Sequence, residues 1–274
     1  MHAHIPRKRF GQHFLHDAGI LRKIVQAIAP QRGDNVVEIG PGEGALTLPL
    51  LRALGHMTVI ELDRDLVPRL EAAAEGIGVL DIVNADVLTV DFAALAKAGR
   101  LRVVGNLPYN ISSPILFHCI EQIDAIRDMH FMLQKEVVDR MAARPGSKVY
   151  GRLSVMLQLV CRVDPLLGVP PGAFRPPPKV DSAVVRLTPR APSERAFGNA
   201  TLVARIVKAA FGQRRKTLAN ALGELADADA IRAAGIDPRA RAETVPPQGY
   251  VALARAASEA ADVPGTRVLA DNHQ

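Results

Sequence analysis

Short apolar runs rich in β-branched residues alternate with stretches of helical spacing along the first half of the chain. The runs at 35–39, 57–62, 79–83, 102–105 and 129–133 predict strands. Between them, 45–54, 65–74 and 113–123 put their apolar residues on one helical face. This alternation predicts an α/β fold with a parallel, doubly wound Rossmann-like sheet. A further helix is expected at 152–161 and a late strand at 182–187. The stretch Thr188-Pro189-Arg190-Ala191-Pro192-Ser193-Glu194-Arg195 reads as a linker. Beyond it the pattern is wholly helical. In 201–211, Leu202, Val203, Ile206, Val207 and Ala210 share one face while Arg205 and Lys208 fall on the other. Gly212 breaks that helix, Arg214-Arg215-Lys216 is expected to open a second, and short helices follow around 228–234 and 248–261. The division predicted is a sheet domain at 1–190 with a basic N-terminal arm, and a smaller all-helical domain at 198–274.

Composition adds bounds. With 274 residues, 48% of them hydrophobic, the chain can bury a sizeable core without staples. No apolar run approaches a membrane span, and no signal region follows the basic start. Cys119 and Cys161 sit in apolar contexts without metal spacing, which reads as buried thiols in a reducing cytoplasm and no metal site. The net charge of +6 is unevenly spread: residues 1–30 carry five Lys/Arg against one acid, and 175–220 carry ten against two. Solvated, Arg-rich helix faces would explain this, and so would a polyanion gripped from two sides. Charge alone leaves both open.

Candidate chemistry begins at Val36-Val37-Glu38-Ile39-Gly40-Pro41-Gly42-Glu43-Gly44-Ala45, a strand running into a glycine turn and a helix. Open α/β sheets bind adenosine-containing cofactors there. Gly40, Gly42 and Ala45 satisfy the dinucleotide spacing, and Glu61 stands where a carboxylate would hold ribose hydroxyls. A pyrophosphate wants bare backbone N–H groups, yet Glu38 and Glu43 make the field of this turn acidic. Carboxylates attract the sulfonium and ammonium of S-adenosylmethionine, which favours a methyl donor. A dinucleotide and a purely structural turn stay open. Asp86, after the third strand, is positioned to accept from an adenine amino group.

At the end of the fourth strand stands Asn106-Leu107-Pro108-Tyr109-Asn110. The exocyclic amine of adenine is a poor nucleophile because its lone pair is delocalised into the ring. Two acceptors on its hydrogens would draw density back to nitrogen and stabilise the charge that develops as a methyl arrives. The Asn106 side-chain oxygen and the Leu107 carbonyl, stiffened by Pro108, are suited to this. Tyr109 offers a face for the base, worth roughly 1–3 kcal/mol. A plain strand-end turn is the alternative, since Asn and Pro are ordinary turn residues.

With these residues in view, the chain resembles the ribosomal RNA adenine N6-dimethyltransferases, in their bacterial small-subunit branch. The motifs run in order along nearly the whole chain: RFGQHFL (9–15), VEIGPGEG (37–44), IELD (60–63), NADVL (84–88), NLPYNISSP (106–114), FRPPPKV (174–180) and FGQRRKTL (211–218). The resemblance implies S-adenosylmethionine as donor, with contacts from His13, Leu15, Gly40, Gly42, Glu61, Asp86, Val87 and Asn106. His13 departs from the commoner amide at its position. Asn106, Leu107, Pro108 and Tyr109 would serve the transfer, with the ring of Phe174 opposite Tyr109. Arg7, Lys8, Arg9, Lys179, Arg214, Arg215 and Lys216 would hold RNA phosphates. The implied reaction adds two methyls to each of two adjacent adenines in a hairpin near the 3′ end of small-subunit ribosomal RNA, within an immature subunit. A cytoplasmic location rests on the reduced cysteines, and the oligomeric state stays open, with nothing in the sequence that demands more than a monomer. A large-subunit adenine methyltransferase and a non-catalytic RNA-binding assembly factor are the rival readings.

Overall fold

The computed structural model describes residues 13–195 and 197–262; Arg7, Lys8 and Arg9 lie outside them. The described residues form two units, 13–139 with 161–189, and 140–160 with 190–262.

The first unit holds nine strands: β1 (Phe14–Leu15), β2 (Val36–Ile39), β3 (His56–Ile60), β4 (Val79–Val83), β5 (Leu101–Asn106), β6 (Ile126–Gln134), β7 (Cys161–Val169), β8 (Phe174–Arg175) and β9 (Ser182–Pro189). Helices α1 (Ala18–Ile28), α2 (Thr47–Leu54), α3 (Val67–Ala74), α4 (Phe92–Leu95) and α5 (Ser112–Glu121) intervene, and α6 (Lys135–Met141) follows β6. Asp17 starts α1 by accepting from the N–H groups of Gly19 and Ile20 at 2.8 and 2.9 Å. The main sheet runs β4-β3-β2-β5-β6-β9-β7, and all four residues of β2 are buried. A strand covered on both faces shows as a near-continuous apolar run, broken in β2 only by the buried Glu38.

Strands β2 to β6 are parallel, as the alternation over that stretch predicts. The late strand makes the whole sheet mixed: β9 lies antiparallel to both β6 and β7. The segment joining β7 to β9 carries no crossover helix, only a 3₁₀ turn at Pro171–Ala173 and the short β8, so the chain folds back beside itself. The strand β7 itself was not expected at all.

An ion network at the start of β5 was also unforeseen. Arg102, 6% exposed, binds Asp34 at 2.7 Å and Asp128 at 3.1 Å. It also donates to the carbonyls of Ile28 and Ala29, where the end of α1 welcomes a cation. Burial opposes ionisation of both carboxyls, yet Arg102 at Asp34, and the His130 ring together with Arg102 at Asp128, hold both below their usual range.

The second unit is helical: α7 (Arg152–Val160), α8 (Ala200–Gly212), α9 (Leu218–Leu222), α10 (Ala228–Ala233) and α11 (Pro247–Asp262). Val203, Ile206, Val207 and Ala210 bury the face of α8 that the spacing marked. Tyr150, Val155 and Leu159 are buried in the same cluster, with Tyr250 and Leu253 of α11. The phenols of Tyr150 and Tyr250 donate to the carbonyls of Val245 and Ala242, so neither hydroxyl is stranded. Residues 140–160 therefore join this unit and not the sheet domain expected over 1–190, because their apolar side chains find cover there. Arg214-Arg215-Lys216 does not open a helix either; it forms a turn, and α9 starts only at Leu218.

Candidate active site

The strand order reverses between β2 and β5: β3 and β4 extend one way, β6 onward the other. Such a switch point leaves a crevice at the carboxyl ends of the strands. A cleft of about 1150 Å³ opens there. Its walls bring together His13, Leu15, Gly40, Gly42, Glu61, Asp86, Val87, Asn106, Leu107, Pro108 and Tyr109, which are far apart in sequence.

Gly40 and Gly42 have φ of 65° and 58°, the left-handed region that side chains resist. At Gly42 there is a second reason, since a Cβ would lie 2.9 Å from the Phe14 ring. Gly105, which sequence reasoning passed over, is just as constrained: a Cβ there would stand 2.5 Å from the Ile39 carbonyl oxygen. Backbone cannot yield as a flexible side chain can, so this glycine lets the end of β5 approach the glycine turn.

Glu61 is 6% exposed, accepting from the N–H of Gly42 at 3.3 Å and of Asp63 at 2.8 Å. Burial raises its pKa, against the pull of those N–H groups. Glu38 is buried beside it, with Thr47 Oγ1 donating to its carboxylate at 2.6 Å. Burial, with the Glu61 charge adding, pushes Glu38 up to about 7 despite that bond. Asp86 caps the turn at Val87–Thr89 through one oxygen, accepting from Leu88 N–H at 3.0 Å. Leu62 and Leu88, also not singled out beforehand, are exposed apolar side chains on the cleft, 50% and 36% accessible. Each follows a cleft carboxylate within two residues, an apolar surface beside a polar anchor suited to a flat ring.

Asn106 ends β5. Its Nδ2 donates to the His13 carbonyl at 2.9 Å, which fixes the amide and leaves Oδ1 as an acceptor without a partner among the described residues. Leu107 N–H donates to Met132 O at 3.1 Å, anchoring the peptide between Asn106 and Leu107. β1 pairs with β8, and His13 Nδ1 meets the Pro176 carbonyl at 2.8 Å. The His13 ring then stacks on Tyr109, centroids 5.5 Å apart at 27°.

The structure does not set Phe174 opposite Tyr109. Phe174 is 1% exposed and packs in the apolar cluster with Leu15, Val169, Ala173 and Val184. The aromatic against Tyr109 is His13. Arg175 next to Phe174 does line the cleft, and Lys179 is exposed. In the helical unit Arg214 is occupied: Nε binds Glu243 at 2.7 Å and Nη2 donates to the Lys148 carbonyl at 2.7 Å. Arg215 and Lys216 remain exposed, as do Arg144 and Lys148 on the segment that Arg214 holds.

The residues present fit S-adenosylmethionine: buried carboxylates at Glu38, Glu61 and Asp63 and exposed ones at Glu43 and Asp86 for its cationic groups and hydroxyls, a glycine turn without side chains, and Glu61 and Asp86 at the ends of adjacent strands.

A sequence profile of the family "Ribosomal RNA adenine dimethylase" matches residues 3–259. The chain is 59% identical over 252 residues to "Ribosomal RNA small subunit methyltransferase A" of Xylella fastidiosa (strain Temecula1 / ATCC 700964), covering 91% of this chain and 95% of that one. It is 59% identical over 248 residues to the protein of the same name from Xanthomonas axonopodis pv. citri (strain 306), covering 90% and 95%. Among solved structures, a dimethyladenosine transferase from Plasmodium falciparum superposes with a TM-score of 0.76 at 26% identity, over 88% of this chain and 96% of that one. The 23S rRNA methyltransferase ErmE superposes with a TM-score of 0.69 at 27% identity, over 89% and 99%.

Proposed function

From the premise that the chain belongs to the ribosomal RNA adenine dimethylase family, we propose that this methyltransferase moves methyl groups from S-adenosylmethionine to the N6 amines of two adjacent adenines near the 3′ end of small-subunit ribosomal RNA. One observation carries the reading: Asn106 lines the cleft beside Leu107 and Tyr109 with Nδ2 tied to the His13 carbonyl, which leaves Oδ1 without a partner among the described residues.

S-adenosylmethionine supplies an electrophilic methyl on a sulfonium. Gly40, Gly42 and Glu61 hold such a donor, with Asp86, Leu62 and Leu88 around its adenine. Asn106 Oδ1 and the Leu107 carbonyl accept the two hydrogens of the target amine and stabilise the positive charge arriving on nitrogen. Because Asn106 is tied to the His13 carbonyl, and Leu107 is held by its N–H on Met132 and restricted by Pro108, little reorganisation is left for the moment of transfer. The proton lost afterwards is acidic enough to pass to water, so no strong base is required. Tyr109 supports the base turned out of its loop. Lys179 and, in the helical unit, Arg215 and Lys216 bind phosphates. No helix among the described residues is long and apolar enough to cross a membrane, in keeping with a substrate in the cytoplasm.

The likeness to ErmE leaves large-subunit RNA as the second reading; the 59% identity to proteins named for the small subunit favours the first. Incubating the enzyme with labelled donor and a mixture of under-methylated small subunits and unmodified large-subunit RNA, then mapping the labelled base, separates them. Label on large-subunit RNA, or on any atom but the exocyclic nitrogen, would overturn the proposal. Asn106→Ala should bind RNA normally and lose at least a hundredfold in rate, by analogy with deleting one oxyanion donor (about 10²–10³).

A further inference from the structure

Tyr109 is held at more points than a stacking platform needs. Its phenol oxygen meets Ser182 Oγ at 2.6 Å, and its backbone carbonyl accepts from Ser112 Oγ at 3.2 Å. The His13 ring packs on it at 5.5 Å. Ser182 is 0% exposed and opens β9, in register between Gln134 of β6 and Val169 of β7. Its hydroxyl therefore reaches the phenol from a strand paired on both sides.

We propose that Ser182 is a positioning residue for methyl transfer: its hydroxyl anchors the far end of Tyr109 and so fixes the plane of the ring that receives the target purine. A base resting on a ring free to swing would meet the Asn106 and Leu107 oxygens in many orientations, few of them reactive. A ring pinned at both ends admits one. The inference rests on the reading of Tyr109 as the support of the base, and its test separates the two.

Single-turnover methylation of under-methylated small subunits is measured for the wild type, Ser182→Ala, Tyr109→Phe and the double variant, with Tyr109→Ala as control. Ser182→Ala and Tyr109→Phe each break the same bond, so each should slow transfer roughly three- to tenfold. Affinities for RNA and for donor should stay unchanged, and the double variant should be no slower than the worse single one. Multiplied losses in the double variant, or a Ser182→Ala rate equal to wild type, overturn the proposal. Tyr109→Phe leaves β9 untouched, so an unaltered rate in that variant overturns it even where Ser182→Ala fails to fold. A full rate for Tyr109→Ala would instead remove Tyr109 from the base site. The chain has three tyrosines and no tryptophan, so quenching of tyrosine emission on RNA binding reads the stacking directly. That quench should persist in Ser182→Ala and vanish in Tyr109→Ala.

Discussion

Glu38 shows what burial does to a single charge. Its carboxyl, pushed up to about 7, holds a proton more tightly when folded than when unfolded, where the usual value is 4.5. Its contribution to stability is therefore full below about 4.5 and fades as pH rises through about 7. A cationic donor nearby reverses the preference and favours the ionised form. Donor affinity should rise between about pH 6 and pH 8, with a proton released on binding near neutrality. Calorimetry in buffers of different ionisation heat would detect it, and Glu38→Gln should abolish it. Identical heats in every buffer for the wild type would contradict this coupling. The acidic residue was plain in the sequence beside its glycines. Its proton was not, because that depends on burial and on the Glu61 charge, opposed by the Thr47 hydroxyl, all of which only folding supplies. Gly105 and Ser182 escaped notice for the same reason: what each is for depends on a partner, Ile39 or Tyr109, that only the fold supplies.

At the scale of elements, the turn at 213–216 separates two jobs that a run of three cations had merged. Arg214 ties the turn to Glu243 and to the carbonyl of Lys148, while Gly146 N–H donates to the Glu243 carbonyl at 2.7 Å. The arginine and the acid are 40% and 31% exposed, so the pair is screened and worth roughly 1 kcal/mol at most with its hydrogen bonds. Arg214→Ala should lower the melting temperature by a few degrees. Arg215→Ala with Lys216→Ala should leave melting alone and reduce the salt slope of RNA binding by about 0.7 per lost phosphate contact. An unchanged slope would reassign both residues. Strands were legible where both faces are covered, as in β2 and β5. β7 was not: Cys161–Val169 includes Asp164, Pro165 and Gly168, and it pairs only with β9, so no apolar run marks it. Arg102 misleads in the opposite sense, a charge inside an apolar run whose partners Asp34 and Asp128 are distant in sequence or on the next strand.

Across the whole molecule, the chain passes between its two units three times, at 139–140, 160–161 and 189–190. Cutting after residue 190 would not yield the sheet unit alone, because α7 would stay attached without its cover. Tyr150, Val155 and Leu159 would meet water, each buried apolar side chain costing about 1.5–3 kcal/mol. Such a fragment should aggregate and bind hydrophobic dye; a soluble, cooperatively melting monomer on size exclusion would show that 140–160 has another refuge. The same arrangement bears on the protein's birth. Roughly ninety residues separate the end of α7 from Leu253 of α11, and a translating ribosome adds about 5–20 residues each second. For some seconds a nascent chain must shelter the greasy side of α7 before its lasting neighbours exist, a window in which a chaperone rather than the fold keeps it from sticking.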